Sequence, residues 1–341
     1  MKPAQPVQPA EPADAMTSAY PESPGERDRW ILARRADFRQ AERSKLSPWR
    51  PYEFLVEEER SAEGEAVPVA TVFLTNRECP WRCLMCDLWR NTLTESVPAG
   101  AIPAQLAYAL ARLAPARQIK LYNSGSFFDR RAIPAADYPA IARQVLAFER
   151  VIVESHPALV NDGCRRLRDL LSGRLEVALG LETVHPIVGP QLNKRATLDQ
   201  FAAAADRLGQ NGIALRVFIL VKPPFLDEAE ALHWAQRSLD FAFDCGATVA
   251  ALIPTRAGNG ALEALAARGE FAPPRLETLE AAAAYGVRLG RGRVFADLWD
   301  LQRFSTCANC FAARQARLRE MNLKQEVPAR IECRNCGGSH E

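Results

Sequence analysis

The chain has 341 residues, with 43 Lys and Arg against 41 Asp and Glu, 48% hydrophobic residues and 25% charged ones. A net charge of +2 gives no global reason for a nucleic-acid or membrane partner. No run approaches the roughly 18 apolar residues of a membrane span, so no membrane partner is expected. The length fits about two domains, or one α/β barrel with an addition.

Residues 1–26 hold Pro3, Pro6, Pro9, Pro12, Pro21 and Pro24 and read as a disordered tail. They lack the basic-then-apolar order of an export signal, so a cytoplasmic, reducing location is expected. Residues 26–46 read as a basic helix that presents Trp30, Ile31, Leu32 and Phe38 to a neighbour. Its arginines either contact nucleic acid or form a solvated face, and charge runs are more often the latter.

From residue 68 the pattern repeats. Apolar, β-branched runs fall at 69–76, 118–123, 150–155, 175–182, 214–221 and 247–254. Helical stretches fall near 101–113, 137–149, 157–171, 198–210, 227–243 and 275–289. Strands that are apolar throughout imply a parallel sheet covered on both faces. The expected fold is α/β: a partial (β/α)6 TIM-like barrel of parallel strands, with 292–301 as a further strand and an open doubly wound sheet as competitor. Expected boundaries are a tail to 26, a lead-in at 27–67, the barrel at 68–300 and a Cys-rich metal-binding appendage at 301–341. Each strand is followed by polar or Gly-rich residues, where such barrels build their chemistry.

Nine cysteines are present, and seven fall in two clusters. Cys79, Cys83 and Cys86 form C-x3-C-x2-C directly after the first run. Three thiolates on a short loop can hold three irons of a [4Fe–4S] cluster, leaving the fourth iron open. A structural zinc site wants four ligands; the nearest candidate is Asp87, and a zinc site completed from elsewhere is the alternative. With this spacing in this position the chain resembles the radical S-adenosylmethionine (SAM) superfamily over roughly residues 68–300. Met85 stands where that family usually has an aromatic residue.

The resemblance implies a [4Fe–4S] cluster on Cys79, Cys83 and Cys86, with SAM chelated by the open iron. It implies reductive cleavage of SAM to a 5′-deoxyadenosyl radical, and a reductant such as flavodoxin or ferredoxin. It places Asn123, Ser124, Gly125 and Ser126 at the turn that holds the SAM ammonium. Glu182, and less directly Glu154, would meet the ribose. Arg195, chosen over Lys194, would meet the SAM carboxylate, and Ile253 and Thr255 the adenine. His156 and His185 read as turn histidines bonded to backbone, and Cys164 and Cys245 as buried packing residues. Gly258-Asn259-Gly260 is too short for a dinucleotide fingerprint.

Cys307-x2-Cys310 and Cys333-x2-Cys336 form two knuckles joined through a short helix expected at 311–322. Four thiolates can close around zinc, an auxiliary [4Fe–4S] cluster being the alternative. Arg314, Arg317, Arg319, Lys324 and Arg330 between the knuckles could grip RNA phosphates.

The segments RECPWRCLMC, KLYNSGSFFD and GLETVHP resemble one branch of the superfamily. It comprises the archaeosine synthase radical SAM subunit and, more distantly, the elongator protein 3–methylthiotransferase group. The resemblance implies modification of a tRNA nucleoside, with tRNA and a second subunit as partners. The alternatives are a radical SAM enzyme acting on a peptide or small metabolite, and a non-enzymatic zinc-bearing RNA- or protein-binding module.

Overall fold

The structure is a computed structural model that describes residues 19–35 and 45–336. Eight strands form one sheet in chain order: β1 (Glu53–Arg60), β2 (Ala66–Phe73), β3 (Gln118–Tyr122), β4 (Arg150–Ser155), β5 (Arg174–Glu182), β6 (Ala214–Val221), β7 (Val249–Pro254) and β8 (Arg293–Ala296). β1 and β2 are an antiparallel hairpin, and every later pair is parallel. The order never reverses, as it would at the switch point of a doubly wound sheet. The sheet is therefore a half-barrel with seven parallel strands, one more than six βα units. Val, Ile and Leu at alternating and consecutive positions are buried on both faces, as a covered parallel sheet requires.

β1 departs from the expectation, because EFLVEEER carries too many carboxylates to read as a strand. Its charges are used inside the barrel. Glu59 lies 2.5 Å from Lys120 and is also paired with Arg216. Arg216 Nε donates to Glu176 at 2.6 Å, Arg150 donates to the same carboxylate at 3.3 Å, and Arg293 lies 3.6 Å from it. Glu176 is completely buried. This ionic layer ties β1, β3, β4, β5, β6 and β8 together. Burial would raise the Glu59 carboxyl, but Arg216 and Lys120 outweigh it and hold it well below the usual carboxylate range. Its contribution to stability is thus fully present above the ordinary carboxylate range and is lost progressively as the pH falls from there toward its much lower value in the fold.

The outer helices are α1 (Pro24–Arg34), α2 (Ala101–Leu110), α3 (Tyr138–Gln144), α4 (Asp162–Leu170), α5 (Leu198–Gln210), α6 (Glu228–Asp244), α7 (Ala261–Ala267), α8 (Leu276–Leu289) and α9 (Ala308–Lys324). Caps start them where the sequence supplies short polar side chains: Ser23, Asn161, Thr197 and Asp227 each accept a backbone N–H. α1 begins at Pro24, inside the stretch expected to be tail, because Ser23 caps it and Tyr20 and Trp30 pack edge to face at 5.1 Å. Residues 1–18, 36–44 and 337–341 lie outside the described residues, including the rest of the expected tail, most of the second half of the expected 26–46 helix, and the glycines after Cys336.

α9 is longer than expected and lies across β1 and β8. Asn322 accepts the Ala296 N–H and donates to the Ala296 carbonyl, both at 2.8 Å. Gln325 does the same for Val294, at 2.7 and 2.9 Å. Two side-chain amides thus make the bonds a ninth strand would make. Arg314 pairs with Glu277 and Glu280, and Arg317 bonds Glu280 and the Pro328 and Ala329 carbonyls. Both arginines are buried in packing, which corrects the expectation that they face RNA phosphates.

Replacing Glu176 with Gln removes the charge three arginines share and should cost about 3–5 kcal/mol in urea unfolding. The exposed pair of Arg117 with Glu65 and Glu149 gives the contrast. Arg117→Ala should leave the urea midpoint almost unchanged.

Candidate functional site

The cysteine loop lies at the carboxyl ends of the strands, between β2 and α2. Its carbonyls are held by side chains distant in sequence. Asn193 Nδ2 donates to Arg82 O at 2.8 Å, and Arg35 reaches Cys83 O at 3.4 Å. Asn259 Nδ2 donates to Leu84 O at 2.7 Å and to Cys86 O at 3.3 Å. The Leu84 N–H in turn donates to Leu192 O at 2.9 Å. Arg35 also pairs with Glu78 at 3.3 Å, and Arg82 donates to Cys79 O at 2.6 Å. Trp30 and Ile31 of α1 bury Leu84 together with Leu262 and Leu265 of α7. α1 is therefore a packed support of the loop.

The turn at 123–126 sits directly on the loop. A Cβ added to Gly125 would lie 3.3 Å from Cys79 Cβ, a tight contact that glycine avoids. Glu154 lies beneath the turn and accepts the Asn123 N–H at 2.6 Å and the Gly125 N–H at 3.4 Å. Burial raises its carboxyl to about 6 against the pull of those donors. Ser124 Oγ meets the Tyr52 hydroxyl at 3.0 Å. Ser126 Oγ meets Ser155 Oγ at 2.9 Å and accepts the His156 N–H at 3.0 Å. Asn123 Oδ1 is buried with no partner.

Lys194 and Arg195 part company. Asn193 and Arg195 both have positive φ, 56° and 60°, which turns Lys194 inward and Arg195 out. Lys194 Nζ pairs with Glu182, and both side chains are largely buried. Arg195 pairs with Asp28 at 2.5 Å and donates to Pro24 O at 3.1 Å, on the outer side of α1. The structure thus brings Lys194, not Arg195, to the loop. Gly180 makes room for the pair, since a Cβ there would land on both Lys194 Nζ and Glu182 Oε1. Burial would lower the Lys194 ammonium, but Glu182 outweighs it and keeps it charged.

Ile253 packs with Val188, Leu192, Leu220, Phe225 and Met85 of the loop. Thr255 Oγ1 donates to Val221 O at 3.0 Å, which engages its hydroxyl. His156 stacks on Trp81 at 3.6 Å; its Nδ1 accepts the Ala158 N–H, and Nε2 lies 3.0 Å from Lys194 O. Burial and then Lys194 hold it down at about 4, so it is neutral. His185 Nδ1 accepts the Ile187 and Val188 N–H groups, as the turn reading expects. Cys164 is buried in α4. Cys245 caps the carboxyl end of α6. Ser124, Glu182, Asn193, Arg195, Lys222 and Phe225 all have positive φ around this edge. Strained backbone of this kind gathers where a site is held in a fixed shape.

Burial pushes the Cys79, Cys83 and Cys86 thiols up to about 12, so they are neutral unless a metal holds them as thiolates. Among the described residues, one group of three or more Cys, His, Asp or Glu has all its ligand atoms within 4.8 Å, and it is Cys307, Cys310, Cys333 and Cys336. The Cys79, Cys83 and Cys86 sulfurs do not all lie within that distance of one another. With the orphaned Asn123 acceptor and the Gly125 cradle beside them, these residues fit an iron–sulfur cluster with a small polar ligand next to it. Sequence reasoning missed Arg35, Asn193, Asn259 and Gly180. The only signal for any of them was the Gly258-Asn259-Gly260 turn.

A parallel half-barrel with C-x3-C-x2-C after its first parallel strand is the arrangement that the resemblance to radical SAM enzymes implies. No family model matches the chain. It is 28% identical over 225 residues to the archaeosine synthase subunit beta of Methanosarcina acetivorans, covering 62% of this chain and 65% of that one. It is 28% identical over 131 residues to the archaeosine synthase subunit beta of Thermococcus kodakarensis, covering 36% and 39%. The chain thus spans less than two thirds of the length of these curated relatives. Among solved structures it is similar to the Elp3 of Methanocaldococcus infernus, with 15% identity, a TM-score of 0.49 and coverage of 64% and 59%. It is also similar to a methylornithine synthase, with 12% identity, a TM-score of 0.46 and coverage of 82% and 73%.

Asn259→Ala frees two loop carbonyls at a cost of about 1–3 kcal/mol. Amide hydrogen exchange over residues 79–93 should accelerate roughly tenfold. Exchange in β4–β6 should not change.

Proposed function

We propose that the chain holds a [4Fe–4S] cluster on Cys79, Cys83 and Cys86 with SAM beside it, and modifies a tRNA nucleoside in company with a second subunit. The observation that carries this reading is the set of three half-buried free thiols on one loop beside the Lys194–Glu182 pair. When bound, the cluster supplies the electron that cleaves the sulfonium C–S bond of SAM, giving methionine and a 5′-deoxyadenosyl radical that takes hydrogen from the substrate.

The residues of the chain bind and orient. The Lys194 ammonium receives the SAM carboxylate, and Glu182 keeps it charged and leaves an oxygen for the ribose. Asn123 Oδ1 accepts from the SAM ammonium, while Glu154 positions that turn through its N–H groups. Ile253 and Met85 supply an apolar wall for adenine, and Thr255 fixes the strand end behind them. The packed α1 keeps water from the loop, which strengthens every charge–charge contact inside. The substrate class and the second subunit rest on the two relatives that share the name archaeosine synthase subunit beta. Among the described residues no helix is long and apolar enough to cross a membrane. We place the enzyme in the cytoplasm, with flavodoxin or ferredoxin as reductant.

For the second cluster we assign one zinc ion. Cys307 and Cys333 Sγ lie 3.8 Å apart, as do Cys310 and Cys336 Sγ. A tetrahedron with Zn–S bonds of about 2.3 Å has edges of about 3.8 Å. Thiolates on separate irons stand farther apart.

Protein reconstituted without oxygen should carry about four irons and about one zinc per chain. It should form 5′-deoxyadenosine with dithionite and SAM. The triple Ala variant at Cys79, Cys83 and Cys86 should keep zinc and lose both iron and product, and product from that variant would overturn the reading. About eight irons and no zinc would replace the zinc assignment by a second cluster. Lys194→Met should weaken SAM binding about tenfold or more at unchanged iron content. A loss seen in Arg195→Met instead would return that role to Arg195.

A further inference from the structure

The amino-terminal mouth of the half-barrel, at the end away from the cysteine loop, holds a cavity of about 850 Å³. It is framed by the β1–β2 hairpin, the first residues of β4, β5, β6 and β8, and the turns after α5, α6 and α8. Among the described residues its wall includes Arg60, Arg150, Arg174, Arg291 and Arg293, and no carboxylate. Glycines 209, 212, 246, 290 and 292 complete much of the rim, so backbone rather than side chains bounds the opening.

The charges behind the wall do not balance. Lys120, Arg150, Arg216 and Arg293 meet Glu57, Glu59 and Glu176. Four cations thus share three carboxylates, and one of these, Glu57, is partly exposed. Arg150 is only 5% exposed, and its carboxylate partner Glu176 also serves Arg216 and Arg293. Burial holds the Arg293 guanidinium below its ordinary value despite Glu176. At the rim, Arg60 donates to Leu323 O at 3.2 Å. Arg174 lies 3.6 Å from Glu63, with both side chains largely exposed, and Arg291 lies 2.8 Å from Asp244. Neither of these acids lines the cavity.

Barrels commonly gather packing residues at this end. A packed floor, however, has no use for a wide opening whose charged side chains are all arginines. Guanidinium groups match phosphate oxygens two at a time, and a partly desolvated excess of positive charge is relieved by a bound anion. The volume suits a small ligand.

We propose that this mouth binds a small diphosphate-bearing anion, either inorganic pyrophosphate or the phosphate chain of a nucleotide. Arg150 and Arg293 form the inner contact, with Arg60 and Arg174 closing over it from the hairpin side. The site is separate from the cysteine loop, so its test does not depend on SAM chemistry.

The test is calorimetric titration of the full metal-loaded chain with pyrophosphate and with ADP, at ionic strength held constant with sodium chloride. Saturable binding is expected, about tenfold weaker in Arg60→Ala and in Arg174→Ala. The Arg174 side chain is 74% exposed, so its removal leaves the fold intact, as circular dichroism will check. Any extraction of metal would be common to all variants. Equal affinities for pyrophosphate and ADP identify the free diphosphate as the whole recognition element, and tighter ADP identifies a nucleotide. No heat beyond that of the salt control, or affinity unchanged in both variants, overturns the proposal. So does binding of tRNA with none of pyrophosphate.

Discussion

The half-barrel depends on one buried carboxylate. Glu176 on β5 pairs with arginines on β4, β6 and β8, and Arg216 carries the network to Glu59 and Lys120 on β1 and β3. An eight-stranded sheet that does not close on itself has no hydrogen-bond ring to fix its curvature. Here ion pairs across the concave face do so. Each charge costs several kcal/mol to bury, and only mutual pairing offsets this. A one-residue slip of any strand would turn its charge from the interior to the helix layer, so the same network fixes the register.

The two ends of the barrel use different physics. The ionic end is held by fixed strand positions. The cysteine end is held by loans of contact: Arg35 from α1, Asn193 from the turn after β5 and Asn259 from the turn before α7 each hold carbonyls of a loop near residue 80. None of these contacts is local. The loop's shape is thus a product of the whole tertiary structure, and the six positive-φ residues around it mark where backbone comfort gives way to placement.

The barrel was legible in the sequence because its signal is periodic. The runs at 150–155 and 214–221 are strands over their full length, and the helix at 198–210 has its expected bounds. β1 was not legible because inward-facing glutamates look like surface when read alone. The choice between Lys194 and Arg195 could not be read either. Adjacent basic residues are separated only by the backbone turn that the positive φ values at Asn193 and Arg195 create. Asn259 and Gly180 matter through what they touch from a distance, and a single sequence carries no mark of that. The C-x3-C-x2-C loop and the two later knuckles were plain because cysteines at short, fixed spacings stand out in a single sequence.

The clasp of Asn322 and Gln325 on β8 carries a consequence for how this protein fails. A half-barrel ends in bare strand edges, and a bare edge recruits strands from other chains. Two amides three residues apart, Asn322 in the last turn of α9 and Gln325 just after it, occupy the donors and acceptors of Val294 and Ala296 that a foreign strand would use. Proteolysis between β8 and residue 322 would therefore leave the core standing but unsheathed. Its first symptom would be self-association into sheet-extended oligomers, ahead of any loss of secondary structure.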